Sequence, residues 1–126
     1  MGYYSLHNHT DMSNTRLLDC INKVGDLIDY AHEIGLLGVA ITDHEILGNH
    51  VRAQKHLAKR KKENPEDESW QNFKLILGNE IYLCRNDLSE SNFVKGEDRF
   101  YHFILLALDD IGHKQLRELS TRAFKH

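Results

Sequence analysis

Histidine, aspartate and glutamate stand at the ends of four apolar runs in this chain. Leu6-His7-Asn8-His9-Thr10 ends the first run and Ile41-Thr42-Asp43-His44 the second. Gly78-Asn79-Glu80-Ile81-Tyr82 interrupts the third, and Tyr101-His102-Phe103 opens the fourth. These are the side chains that bind borderline and hard divalent cations. Residues at the ends of successive buried strands collect at one rim of a sheet or barrel, where α/β folds build active sites. The pattern points to metal-dependent chemistry on phosphate esters.

Each candidate has its own reading. His7 and His9 are two apart on a strand, so both imidazoles project from one face and can share one ion at about 2.0–2.1 Å. Asp43 and His44 follow the most apolar run, and polar groups there need partners to offset desolvation. His44 reads as a ligand. Asp43 reads as a ligand, as a carboxylate orienting a ligating imidazole, or as the cap of a helix beginning near Ile46. Glu80 sits between Leu77 and Ile81 and reads as a bridging ligand or as half of a structural ion pair. His102 begins its run instead of ending it, so spacing leaves it open between an edge histidine and a ligand. Asp19, taken alone, reads as a helix N-cap. His32, His50, His56, His113 and His126 fall on helix faces or at the terminus and read as surface residues. Ser5, Ser13 and Cys20 lack the base and orienting group of an activated nucleophile.

Elements that position these residues are legible in the hydrophobic pattern. Tyr3–Leu6 reads as a short strand and 10–16 as a loop. Apolar residues at Ile21, Val24, Leu27, Ile28, Ala31 and Ile34 predict a helix over Asp19–Ile34, stopped by Gly35. Leu36–Ile41 is apolar throughout, as a strand buried on both faces is. A second helix follows over Ile46–Lys62. Its basic end, Lys59-Arg60-Lys61-Lys62, suits the negative pole of the helix better than a nucleic-acid surface. Asn64–Gln71, with the single proline, reads as a polar loop. Phe73–Leu83 reads as a strand broken at Gly78–Glu80, and Arg85–Arg99 as irregular. Phe100–Leu108 reads as a strand, and Asp110 as the cap of a last helix carrying Leu116, Leu119, Ala123 and Phe124. Strands alternating with helices predict parallel βαβ units and an α/β fold, with right-handed crossovers bringing the strand ends to one rim.

Composition narrows the class. The chain has 126 residues, 40% of them hydrophobic and 28% charged, with a net charge of −3, which fits one domain. The negative balance excludes nucleic-acid binding by charge alone, although bound cations would reverse the local sign. Cys20 and Cys84 lack zinc-knuckle or redox spacing and read as reduced thiols of a cytoplasmic protein. No run approaches transmembrane length, and no secretory signal opens the chain.

The segments Leu6–Ser13, Ile41–His44, Gly78–Tyr82 and Tyr101–Ala107 resemble, in that order, motifs of the PHP (polymerase and histidinol phosphatase) family. With Gly112–Leu116 and Ser120–Phe124, the last segment is similar to the N-terminal region of bacterial and phage DNA polymerase III alpha subunits. The resemblance implies a PHP-type distorted (β/α)7 barrel, with 1–126 as a single partial domain forming its N-terminal half. It implies metal ligation by His7, His9, Asp19, His44, Glu80 and His102, with Asp43, His44 and Glu80 at the catalytic centre. Two to three divalent ions, zinc, manganese or magnesium, are expected in a complete domain. The implied activity is phosphoesterase or 3′–5′ exonuclease chemistry within a DNA-directed DNA polymerase, with DNA and replication proteins as partners. A stand-alone PHP phosphoesterase and a non-catalytic partner-binding module are the alternatives. The late Asp-x-His of the family is absent from this sequence. The chain is therefore expected to be a fragment, weak in metal binding and activity, that self-associates through open strand edges and through Leu77, Ile104 and Leu106.

Overall fold

The computed structural model describes residues 2–83 and 100–125. Among the described residues, four strands and four α-helices follow one another in the order β1 (Tyr4–Ser5), α1 (Val24–Glu33), β2 (Gly38–Ile41), α2 (His50–Glu63), α3 (Glu68–Asn72), β3 (Lys74–Leu83), β4 (Tyr101–Leu106) and α4 (Asp110–Lys125). A 3-10 helix over Asp11–Thr15 stands in the expected loop after His9. The strands form one sheet in the order β1-β2-β3-β4. β1 and β2 pair in parallel, as do β2 and β3. The fold is thus mixed α/β, a curled sheet of mostly parallel strands with flanking helices.

All four residues of β2 are buried, which accounts for its unbroken apolar composition. Val39 and Ile41 pack with Val24, Ile28 and Ala31 of α1, Ala53 and Leu57 of α2, and Trp70 and Phe73. Removing an Ile or Phe side chain from water contributes about 1.5–3 kcal/mol each, so this cluster anchors the helices to one side of β2.

Several boundaries differ from the sequence expectation, each for a local reason. β4 runs antiparallel to β3, with Glu80 opposite Ile104 and Tyr82 opposite His102. The expected all-parallel wiring fails there, and β4 starts at the rim where β1 and β2 end. β3 is continuous through Gly78–Glu80. A Cβ on Gly78 would lie 2.7 Å from the Leu105 carbonyl oxygen and 2.8 Å from Thr42 Cγ2, so this glycine permits close strand approach and does not end the strand. α1 begins at Val24, with Lys23 in the cap position. Asp19 is therefore no helix cap; Asn14 Oδ1 accepts from its backbone N–H and from that of Cys20, both at 3.1 Å. α2 begins at His50, after a turn in which Glu45 adopts a positive φ of 57°.

The expected loop over 64–71 contains α3. Asp67 caps it by accepting from Ser69 N–H at 2.9 Å, and buried Trp70 stacks on His32 at 3.7 Å. At α4 the capping carboxylate is Asp109, which accepts from Gly112 N–H at 2.7 Å, one residue before the expected Asp110. Leu77, Ile104 and Leu106 are half-buried, not exposed. Among the described residues, no helix is long and apolar enough to cross a membrane. Cys84, 85–99 and His126 lie outside the described residues.

Candidate metal centre

β1 ends two residues before His7, and the following loop carries His9 back over the end of β2. Thr42 N–H donates to Asn8 O at 2.9 Å, and Asn8 Nδ2 donates to Ala40 O at 3.1 Å. These bonds extend the β1–β2 register into the loop and aim both imidazoles at β3.

Glu80 occupies the centre. It is 1% exposed, and its Oε2 accepts from the ring nitrogens of His7 at 2.6 Å and His9 at 2.8 Å. Its Oε1 faces His44 Nδ1 at 3.5 Å and contacts His102 Nδ1. Asp19 Oδ2 lies 3.1 Å from His44 Nε2 and 3.5 Å from His9 Nδ1. The six residues His7, His9, Asp19, His44, Glu80 and His102 therefore share one cleft. Antiparallel β4 is what brings His102 there: it pairs beside Tyr82, two residues beyond Glu80.

Burial pushes the Glu80 carboxyl up, but hydrogen bonds from His7 and His9 and the charge of His44 outweigh it and hold the group below its ordinary range. The carboxylate is thus the anionic centre on which four imidazoles converge.

Asp43 has a different place. Its carboxylate is buried and accepts from Thr10 N–H at 2.6 Å, Thr10 Oγ1 at 2.7 Å and Ser13 Oγ at 2.9 Å. Ser13 Oγ accepts in turn from His44 N–H at 3.1 Å. Asp43 belongs to none of the groups able to hold an ion among the described residues. It also caps no helix, since α2 starts at His50. Through Thr10 and Ser13 it fixes the loop after His9 to the backbone of His44.

Three residues outside the expected set shape the cleft. Tyr82 shares a face of β3 with Glu80; its ring lies parallel to His44 at 5.9 Å and edge-on to His102 at 4.6 Å. Its i+2 spacing from Glu80 was the signal. Asn79 donates to Asp43 O at 2.8 Å and Ile46 O at 3.1 Å, pinning the turn after His44. Glu45, next to His44, donates its N–H to Glu80 O at 2.8 Å. A left-handed non-glycine residue costs about 1–3 kcal/mol and persists where its surroundings fix it. No sequence signal marks that position.

The donor set fits divalent cations. His7, His9 and Glu80 form one group, His9, Asp19 and His44 a second, and His44, Glu80 and His102 a third, each with its ligating atoms within 4.8 Å of one another. His44 Nδ1 and Glu80 Oε1 are buried without a hydrogen bond, the ion-pair approaches of His44 and His102 to Oε1 being the contacts they make. Buried polar atoms in that condition are costly unless an ion or donor meets them. A neutral imidazole gives one lone pair to one ion. His9 and His44 each belong to two groups, so the three groups cannot all be filled by this chain's side chains at once.

The sequence model of one known family, the PHP domain, matches residues 5–126. The chain belongs to the PHP domain family. This PHP domain is 46% identical over 124 residues to the probable DNA polymerase YorL of Bacillus subtilis (strain 168) and to the DNA-directed DNA polymerase of Bacillus phage SPbeta, covering 95% of the chain and 9% of each relative. It is 32% identical over 126 residues to the DNA polymerase III subunit alpha of Borreliella burgdorferi, covering 97% of the chain and 9% of that relative. The PHP domain thus spans about a tenth of the length of these relatives.

Proposed function

We propose that this PHP domain is the N-terminal, metal-dependent phosphoesterase unit of a DNA polymerase III alpha-type replicase, removing nucleotides from 3′ ends during replication. The observation that carries the reading is the convergence of His7, His9, His44 and His102 on one buried carboxylate, Glu80. The match to DNA polymerases supports DNA as the substrate class; replication proteins as partners and a cytoplasmic location belong to the same proposal.

His7, His9 and Glu80 would hold one ion, and Glu80, His44 and His102 a second, with Asp19 the nearest further carboxylate. Bound divalent cations, zinc, manganese or magnesium, supply Lewis acidity and a water of lowered pKa. Glu80 turns Oε2 toward His7 and His9 and Oε1 toward His44 and His102, and its negative charge would offset that of bound cations. Asp43 holds the His9 loop and the His44 backbone in place. Tyr82 flanks His44 and His102 and keeps solvent from one side of both rings.

With three side-chain donors to each ion among the described residues, the chain alone is expected to bind metal weakly and turn over slowly. Its self-association through the β1 and β4 edges belongs to the same proposal, and sedimentation equilibrium reads it. The functional test is release of mononucleotide from single-stranded DNA by the full chain with added Mn²⁺ or Zn²⁺. Slow metal-dependent release that is lost in Glu80→Gln is expected. Release that persists unchanged in Glu80→Gln, or no metal bound to the unmodified chain at any concentration, contradicts the proposal.

A further inference from the structure

His50, His113 and Arg117 form a hydrogen-bonded chain separate from the metal-ligating cluster. Sequence spacing reads His50 as a surface residue, but it is 2% exposed. One ring nitrogen, Nε2, meets the Gly78 carbonyl at 2.9 Å; the other, Nδ1, meets His113 Nε2 at 3.1 Å. Arg117 lies 3.0 Å from His113 Nδ1.

The chemistry of these groups fixes every proton. A guanidinium only donates, so His113 Nδ1 accepts and its Nε2 carries the hydrogen. That hydrogen goes to His50 Nδ1, which is therefore bare. His50 Nε2 then carries its own hydrogen, donated to the Gly78 carbonyl. All donors run one way, Arg117 to His113 to His50 to Gly78, and both imidazoles are neutral.

We propose that His50 and His113 form a proton-sensitive latch that fastens α4 to α2 and β3. A proton added at His50 Nδ1 sets N–H against N–H. A proton added at His113 Nδ1 sets N–H against the Arg117 guanidinium. Each breaks one joint of the chain, so opening takes up protons. Burial is the leading reason that both imidazoles are held below the ordinary histidine range. For His50 the Gly78 carbonyl opposes it and His113 adds to it; for His113, Arg117 adds to it. The charged groups facing the pair are Asp43 beyond the end of β2, which favours the protonated form of His50, and on α4 Arg117, which disfavours protonation of His113, and Asp110, which favours it.

The latch connects to the cleft through α4 itself. Further along α4, Ser120 Oγ donates to the Glu45 carbonyl at 3.2 Å, and the Arg16 guanidinium lies 5.6 Å from the centre of the Phe124 ring. Glu45 is the residue after His44. Release of α4 therefore withdraws support from the turn that carries a ligand.

Hydrogen exchange of α4 amides in the full chain, with metal chelated, tests the latch. Protection factors are expected to hold from about pH 7.5 to 6.5 and to fall below about pH 6.5, the ordinary histidine range, approaching about tenfold per pH unit for each proton taken up on opening. A His50→Gln/His113→Gln variant keeps a donor and an acceptor at each position but cannot be protonated. It also keeps every metal-ligating histidine, and its α4 protection is expected to stay flat. Protection that is flat in the unmodified chain, or that falls in parallel in the glutamine pair, overturns the latch. Should the glutamine pair not fold, ring-proton titration of the unmodified chain decides. Joint titration of His50 and His113 with loss of α4 protection supports the latch, and titration with α4 still protected overturns it.

Discussion

His7 Nε2 lies 2.6 Å from Glu80 Oε2, across 73 residues of sequence. The contact spans from the loop after β1 to the middle of β3, with β2 between the two strands. It exists only when both parallel pairings have formed, so the cleft reports on the sheet. Replacing Glu80 by Gln removes the charge and keeps the shape. Metal affinity is expected to fall by about 10–100-fold or more, the range seen even for loss of supporting groups. Chelator competition measures it, and an unchanged affinity would remove Glu80 from the ligand set.

Asp43→Ala takes the acceptor from three buried donors, Thr10 N–H, Thr10 Oγ1 and Ser13 Oγ. An unpaired buried polar group costs about 1–3 kcal/mol. The variant is expected to lose about 3 kcal/mol or more in urea unfolding, with weaker metal binding because the His9 loop is no longer tied to His44. A loss below about 1 kcal/mol would show that the network is replaced without cost.

Gly78→Ala puts a methyl group against the Leu105 carbonyl, Leu106 Cδ2 and Thr42 Cγ2, all within 2.8 Å. Two of these are packed side chains and one is backbone, so the strands must part. A loss of about 1–3 kcal/mol is expected, read by thermal unfolding. His102 would shift from Glu80, and metal affinity would fall with stability. A variant as stable as the parent would mean that β4 accommodates the methyl group by moving freely.

Asp29 joins α1 to α2, accepting from Arg60 Nε at 2.9 Å and from His56 Nε2 at 2.8 Å. Burial pushes its carboxyl up, but the hydrogen bonds from Arg60 and His56 outweigh it, and the net shift is downward. A depressed carboxylate stabilises the fold above its unfolded pKa of about 3.9 and loses that contribution as the pH falls toward its folded value. Thermal melts below about pH 4 should therefore drop less steeply for Asp29→Asn than for the unmodified chain. Equal slopes would show that this pair is solvated.

How much of this was legible in the sequence varies with the range of the signal. His7, His9, His44 and Glu80 were legible because each stands beside a strongly apolar run. The direction of β4 was not, since alternation of side chains is the same for a parallel and an antiparallel strand, and His102 stayed open for that reason. His50 falls on one face of α2 with Ala53 and Leu57, at i+3 and i+7, a periodicity that marks it as inward-facing; its polar type masked the signal. α3 is too short for periodicity, and only the capping pattern of Asp67 before Ser69 announced it. Asp19 reaches the cleft on an irregular segment whose path is set by Asn14, a contact that no local pattern encodes.

The central claim is that these six side chains form a metal centre. Anomalous X-ray scattering from crystals of the full chain grown with Zn²⁺ or Mn²⁺ tests it most directly. An anomalous peak at about 2.0–2.2 Å from a Glu80 oxygen and from imidazole nitrogens of His7 and His9, or of His44 and His102, is the predicted result. No peak in the cleft at saturating metal, with the six side chains in the same places, would contradict it.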